Sequence, residues 1–245
     1  MNLACLILHD LMLNIRTLIK QLSPNQPCVL CGSMSRDGLW CGHCDTSLPY
    51  LKDANCPVCA LPTPNGDVCG HCLSRPPTFA STTAAFSYAF PLDKMIHAMK
   101  YGQQLALANA LASKLAANIK LDIKPDLIIP MPLHPNKLRE RGFNQSLLLA
   151  SSIAKLCKLK LLTDSCQRVR DTPAQSALPW KDRKKNVRDA FHCTMDLTGM
   201  NVVLVDDVLT TGASMNALAD AIMKNGASRI DVWVVARTLP HSSNS

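Results

Sequence analysis

A chain of 245 residues, 47% of them apolar and carrying a formal charge of +8, has material for one sizeable core plus a small module that needs help to fold. No apolar run approaches the roughly 20 residues of a membrane span, which excludes a helical membrane protein. Aromatic residues at 4% leave few platforms on which bases could stack. The charge is uneven: residues 137–188 hold 13 of the 26 Lys and Arg against only Glu140, Asp164, Asp171 and Asp182. A local excess of nine cations points to a polyanion, phosphate or nucleic acid. For the short run Lys184-Lys185 alone, a solvated surface is reading enough.

Taken in chain order, Leu8, Leu11, Ile15, Leu18 and Leu22 recur at three- and four-residue steps and predict an amphipathic helix over 3–22. Its apolar face either packs on the protein's own body or docks another protein. Ser23 to Pro27 ends it. The first ten residues lack a basic region and a cleavage site, and His9 and Asp10 break their apolar run, so the expectation is a cytoplasmic, reduced protein.

Eight of twelve cysteines then follow as four C-x2-C pairs: Cys28/Cys31, Cys41/Cys44, Cys56/Cys59 and Cys69/Cys72. Two such pairs can surround one tetrahedral zinc ion with sulfurs at about 2.3 Å, leaving no open position for catalysis. A disulfide scaffold would require an oxidising compartment. Sequential pairing closes each hairpin locally at less entropic cost and is favoured, though the spacing leaves interleaved pairing open. Gly32, Gly42 and Gly70 stand where a sharp bend beside a sulfur calls for positive φ. His43 and His71, each inside C-G-H-C, are read as solvated imidazoles. Two loaded sites would lower the formal charge to about +4. Cys157, Cys166 and Cys193 read as packing residues.

Arg75 to Thr78 reads as a linker, which divides the chain into a helix (1–22), a double zinc ribbon (23–75) and a larger α/β domain (76–245). In that domain the patterns predict strands at Thr83–Phe90, Asp126–Pro130, Asn201–Val205 and Ile230–Val235. Helices are expected at Leu92–Met99, Leu105–Ile119, Phe143–Leu156 and Ser214–Asn225. Strands separated by helices imply a parallel sheet. The prolines of Met131 to Pro135 predict a stiff non-helical loop.

Val202 to Val205 delivers Asp206 and Asp207 to the carboxyl edge of that sheet, where α/β folds bind ligands. Thr210, Thr211 and Gly212 lead into a helix whose first N–H groups face an anion. Two adjacent carboxylates repel phosphate but accept hydrogen bonds from neighbouring sugar hydroxyls. A ribose 5-phosphate satisfies both halves.

This stretch, D-D-V-L-T-T-G, resembles the phosphoribosyl pyrophosphate signature of type I phosphoribosyltransferases. With the four C-x2-C pairs, Ile96 to Tyr101, P-M-P-L-H-P and R-E-R-G-F-N-Q (Arg139 to Gln145), the chain from about Cys28 to Thr238 resembles the ComF family of competence proteins and its GntX-like relatives. The resemblance implies a type I phosphoribosyltransferase fold behind structural zinc, serving DNA uptake in natural transformation. It places ribose hydroxyls on Asp206 and Asp207 and the 5-phosphate on Thr210, Thr211, Gly212, Ala213 and Ser214. Met131 to Leu133 would shape the pyrophosphate loop. Lys137, Arg139 and Arg141 are proposed partners for pyrophosphate oxygens, with Lys100 and Tyr101 reaching the site, Asn144 and Gln145 beside it, and Mg²⁺ arriving with the ligand. Thr210 stands where some 6-oxopurine enzymes carry an aspartate for proton transfer, and no acceptor is legible.

Two functional readings follow. In one the protein handles incoming single-stranded DNA, with Lys181, Arg183, Lys184, Lys185 and Arg188 as contacts and a DNA-uptake helicase or other competence protein as a further partner. The alternative is an active phosphoribosyltransferase that transfers ribose 5-phosphate to a base or amine in salvage.

Overall fold

Each cysteine of the second ribbon lies twenty-eight positions after its counterpart in the first, Cys56 after Cys28 through Cys72 after Cys44. The same local structure recurs at that spacing in the computed structural model, which describes residues 26–36, 38–51, 54–102, 104–120, 123–171 and 189–240. The expected helix over 3–22 and the cations Lys181, Arg183, Lys184, Lys185 and Arg188 lie outside the described residues. The chain divides into two compact units, 1–48 and 49–245.

In the first unit β1 (Gln26–Pro27) pairs antiparallel with β2 (Met34–Ser35), and α1 (Gly42–Thr46) starts directly after Cys41 and carries Cys44, the other member of the second pair. Trp40 is buried and donates its indole N–H to Asp45 Oδ1 at 2.7 Å. Gly32 has φ +76°, as its place after a ligand cysteine requires, whereas Gly42 and Gly70 open the short helices α1 and α2 (Gly70–Ser74) without positive φ. The expectation of a left-handed bend at those two is corrected: a glycine there begins a helical turn, a conformation open to other residues.

The second unit is built on five parallel strands, β3 (Ser81–Ser87), β4 (Leu127–Pro130), β5 (Lys160–Leu161), β8 (Asn201–Leu209) and β9 (Arg229–Arg237), in the order β3-β9-β8-β4-β5. Valine-rich β8 and β9 are buried on both faces, as central parallel strands are. On one face lie α3 (Leu92–Tyr101), α4 (Ala106–Ala117) and α6 (Gln145–Cys157); α7 (Ala213–Lys224) covers the other. Leu218, Ala219 and Ile222 of α7 meet Val202 and Leu204 of β8, alternate residues that a strand sends to one side.

Three details depart from the pattern-based expectation. Strand β8 runs on through Asp206 and Asp207 to Leu209 because β9 extends equally far and pairs with it, Asp206 to Val234 and Leu209 to Arg237. Pro135 belongs not to the loop but to the first turn of α5 (Pro135–Arg141), where a missing N–H costs nothing. A small antiparallel pair, β6 (Cys166–Arg168) with β7 (Phe191–Cys193), was too short to leave a periodic signal.

That hairpin also corrects the reading of two cysteines as packing residues. Cys166 and Cys193 are register partners with Cα atoms 4.1 Å apart, and they form a disulfide across 27 positions. Cys157 remains a thiol. Among the described residues no helix is long and apolar enough to cross a membrane.

The linker at 75–78 does not coincide with the division into compact units. Three successive carbonyls of the second ribbon are held by the sheet: Thr82 N donates to Pro57 O at 3.0 Å and Thr82 Oγ1 to Val58 O at 2.7 Å. Arg237 Nε donates to Cys59 O at 2.7 Å. Hydrogen bonds to β3 and β9 thus bind residues 54–75 into the α/β unit, across a gap in sequence that no local pattern reports.

Candidate functional site

Two sulfur clusters are assembled, Cys28/Cys31/Cys41/Cys44 and Cys56/Cys59/Cys69/Cys72, each with its ligand atoms within 4.8 Å of one another. Pairing is therefore sequential. A tetrahedral ion with 2.3 Å bonds to sulfur sets neighbouring sulfurs about 3.8 Å apart; Cys31 and Cys41 stand at 3.8 Å, Cys59 and Cys69 at 3.6 Å. The donor sets fit structural zinc. His43 and His71 are exposed and belong to neither cluster. Each cluster also has a sulfur that accepts a backbone N–H, Cys41 N to Cys28 Sγ and Cys69 N to Cys56 Sγ, both at 3.3 Å. Burial works against ionising Cys28, but the N–H groups of Cys41, Cys31 and Leu30 prevail and bring its thiol down to about 6. Those of Cys69, Cys59 and Val58 likewise prevail over burial at Cys56 and bring it to about 7. Metal binding needs thiolates, so these bonds favour it.

Toward the carboxyl edge of the sheet, half-buried Asp206 and buried Asp207 follow the fully buried run Val202–Val205 of β8. Asp207 is 3% exposed and receives Lys100 Nζ on Oδ2 at 2.6 Å. Burial disfavours the Lys100 ammonium, yet the Asp207 carboxylate outweighs it and holds the group above its ordinary value. Asp206 Oδ1 accepts Ser146 Oγ at 2.7 Å and Asp207 N at 2.8 Å. Its carboxyl is nevertheless pushed well above the usual carboxylate range, first by burial and then by the Asp207 charge.

Three residues later the chain turns through Thr210, Thr211 and Gly212. Gly212 has φ +79° and caps α7, and Thr211 Oγ1 accepts Ala213 N at 3.2 Å. A side chain at 212 would meet only ordinary contacts with Phe79 and Leu209, so its left-handed backbone, not space, calls for glycine. Helix α7, twelve residues long, directs its N-terminus to this loop.

The other expected residues arrive with different closeness. Arg141 donates to Tyr101 Oη at 3.3 Å and to Gln145, and its guanidinium lies 5.0 Å over the Tyr101 ring. It also acts electrostatically on Lys100, so Arg141, Tyr101 and Lys100 form one group. Arg139 instead bonds Asn136 at 2.9 Å, and Lys137 is paired with Glu140 at 2.7 Å, both on the exposed surface of α5. Asn144 is the N-cap of α6: its Oδ1 accepts Ser146 N while its Nδ2 donates to Met131 O at 3.0 Å, which fixes the loop after β4. A cleft of about 660 Å³ opens beside that loop, with Pro132, Phe143, Asn144 and Arg168 in its walls.

Sequence reasoning missed three contributors. Ser146 is fully buried against Asp206, one position beyond the R-G-F-N-Q motif. Arg168 on β6 feels the charges of Asp206 and Asp171. Arg237 is 5% exposed; its guanidinium bonds the carbonyls of Cys59, Leu209, Thr210 and Thr238. A cation ending the apolar run I-D-V-W-V-V-A-R was the available signal.

Comparison with known proteins extends this geometry. A double zinc ribbon domain model matches residues 18–73, and a phosphoribosyl transferase domain model matches residues 144–242. The chain is 33% identical over 221 residues to the DNA utilization protein YhgH of Escherichia coli O6:H1, covering 86% of this chain and 97% of that protein. Against competence protein F of Haemophilus influenzae the identity is 29% over 225 residues, 88% and 92% of the two chains. Among solved structures, a purine phosphoribosyltransferase from Pyrococcus horikoshii matches 67% of this chain and 95% of its own at 18% identity, with a TM-score of 0.32. Given identity over nearly the whole length of the YhgH protein, together with the two domain matches, this chain belongs to the ComF family of competence and DNA utilization proteins, with a phosphoribosyltransferase-type α/β fold and a double zinc ribbon.

Proposed function

We propose that the protein binds phosphoribosyl pyrophosphate with Mg²⁺ at the loop from Asp206 to Ser214 and, with that site, handles single-stranded DNA during competence-linked uptake. One observation carries the ligand: a carboxylate pair near a strand end is followed, five residues after Asp207, by a left-handed glycine, Gly212, that opens a twelve-residue helix. The carboxylates accept vicinal ribose hydroxyls, and the N–H groups and hydroxyls of Thr210, Thr211, Gly212, Ala213 and Ser214 take the 5-phosphate. Lys100 offsets the carboxylate charge that would repel the ligand. Arg141, grouped with Lys100, serves the pyrophosphate better than Arg139 or Lys137, whose contacts lie on the helix surface. Mg²⁺, held chiefly by pyrophosphate oxygens, neutralises charge there.

The DNA half of the reading draws on the names of the relatives and on the cations between 137 and 188. Lys181, Arg183, Lys184, Lys185 and Arg188 supply the phosphate contacts, and a DNA-uptake helicase or other competence protein is a further partner. The eight zinc thiolates suit a reducing compartment, so we place this work in the cytoplasm; the Cys166–Cys193 bond pulls the other way.

Calorimetric titration of zinc-loaded protein with Mg²⁺-phosphoribosyl pyrophosphate tests the ligand. Binding in the wild type that is lost in Asp206→Ala/Asp207→Ala is expected; equal heats from both proteins would refute the site. For DNA, anisotropy of a labelled single strand across a salt series should give affinity that falls steeply with salt and weakens when Lys184, Lys185 and Arg188 are neutralised. Absent or salt-independent binding would remove that half.

A further inference from the structure

We infer that Arg237 makes the phosphate loop answer to the second zinc ion: the loop holds its binding geometry only while the Cys56/Cys59/Cys69/Cys72 site is filled. Arg237 ends β9 and is 5% exposed. Its Nε donates to Cys59 O at 2.7 Å. From the other side of the same planar group, Nη1 donates to Leu209 O at 2.8 Å, to Thr210 O, and to Thr238 O at 2.8 Å. One rigid guanidinium thus joins a zinc ligand's own peptide to the two residues that deliver Thr211 and Gly212.

The geometry works in one direction because the two ends differ in what shapes them. Cys59 closes a tight turn with Cys56, in which Cys56 N bonds Leu61 O at 2.7 Å, Ala60 N bonds Cys56 O at 2.8 Å, and Ala60 takes the left-handed region at φ +56°. Metal coordination holds such a turn; four unliganded thiols do not. Among the described residues the loop at 209–212 has no sulfur cluster of its own. Its carbonyls at 209 and 210 share one buried donor, Arg237 Nη1, and among the described residues Thr238 N alone adds to it, at 3.0 Å to Leu209 O. Loss of zinc frees the Cys59 carbonyl, leaves a buried cation with fewer acceptors, and lets the loop shift. Lysine cannot replace this residue, since a single ammonium does not span two acceptor sets in a fixed plane. Arg237 is therefore a positioning residue.

The inference rests on the reading of 210–214 as the phosphate cradle, and its test separates the two. Amide hydrogen exchange is measured by mass spectrometry on the full chain without ligand, in wild type, Cys69→Ser, Cys31→Ser and Arg237→Lys. Exchange over 209–214 should rise roughly fivefold to tenfold in Cys69→Ser and in zinc-loaded Arg237→Lys, and not in Cys31→Ser. Residues 202–205 of the same strand report whether a variant has unfolded; if they also open in Cys69→Ser, Arg237→Lys decides. An unchanged loop in folded Arg237→Lys, or an equal rise in Cys31→Ser, would overturn the coupling. Titration with Mg²⁺-phosphoribosyl pyrophosphate is read afterwards: no binding by any protein, with loop exchange altered as expected, refutes the ligand and leaves the coupling intact.

Discussion

The two zinc ribbons share their spacing, their sulfur geometry and their N–H to sulfur bonds, yet they stand in different surroundings. The first lies in the unit that ends at Leu48; the second is bonded through three successive carbonyls to β3 and β9 of the α/β unit. Identical coordination chemistry can thus serve two purposes, because what a metal stabilises is set by what its ligands' backbone touches. A repeat in sequence need not be a repeat in role.

The most direct way to break this comparison is to remove each metal separately. Cys56→Ala should lower the unfolding free energy of the 49–245 unit by on the order of 3 kcal/mol or more, while Cys28→Ala leaves that transition in place. Scanning calorimetry on both variants checks it, and equal shifts would erase the distinction. Gly226→Ala should weaken the same transition by about 2 to 3 kcal/mol. Gly226 sits at φ +91°, and an added Cβ would meet Thr198 Oγ1 at 2.6 Å and Thr198 Cα at 3.0 Å. Thermal melts should show that loss while zinc content stays at wild-type level.

A third measurement sharpens the contrast between structure and site. Since the Asp206 carboxyl is raised in the folded protein, the fold binds a proton more tightly than the unfolded chain does. Stability from this group is full below about pH 4, the unfolded value, and is lost as pH climbs to the raised folded value. Asp206→Asn keeps an acceptor for Ser146 but does not titrate. It should match the wild type near pH 4 and exceed it by on the order of 1 to 2 kcal/mol at pH 8 in urea melts, even as ligand binding falls. The smallest expected effect belongs to the first ribbon. Trp40→Phe removes the bond to Asp45 and should cost about 1 kcal/mol, visible in zinc release from the first site and absent from the melt of the second unit.

How much of this was legible beforehand follows from where the determinants lie in the chain. Sulfur spacing, the β-branched run toward Asp206 and Asp207, and T-T-G before an apolar helix are local patterns, and the fold holds them as two sulfur clusters, a strand that continues to Leu209 and a turn into α7. Lys100 could be named from its motif, although only the fold brings it to Asp207 across more than a hundred positions. Ser146 escaped because a serine in a helix start carries no distinctive spacing, while the cation that ends the apolar run of β9 signals a buried charge without naming its partners; the role of each is set by the carboxylate or carbonyls it meets. The Cys166–Cys193 bond escaped for the same reason, since three-residue strands leave no period to detect. The boundary after Arg75 was placed on composition, which cannot sense a ribbon bonded to strands that come later in the chain.

That disulfide has a topological meaning as well. It ties the feet of the segment between β6 and β7, so that residues 166–193 form a closed ring in covalent connectivity, with Lys181, Arg183, Lys184, Lys185 and Arg188 strung along it. Cutting one peptide bond in the ring would not divide the molecule: the two pieces would migrate together on a gel without reductant and separate once it is added.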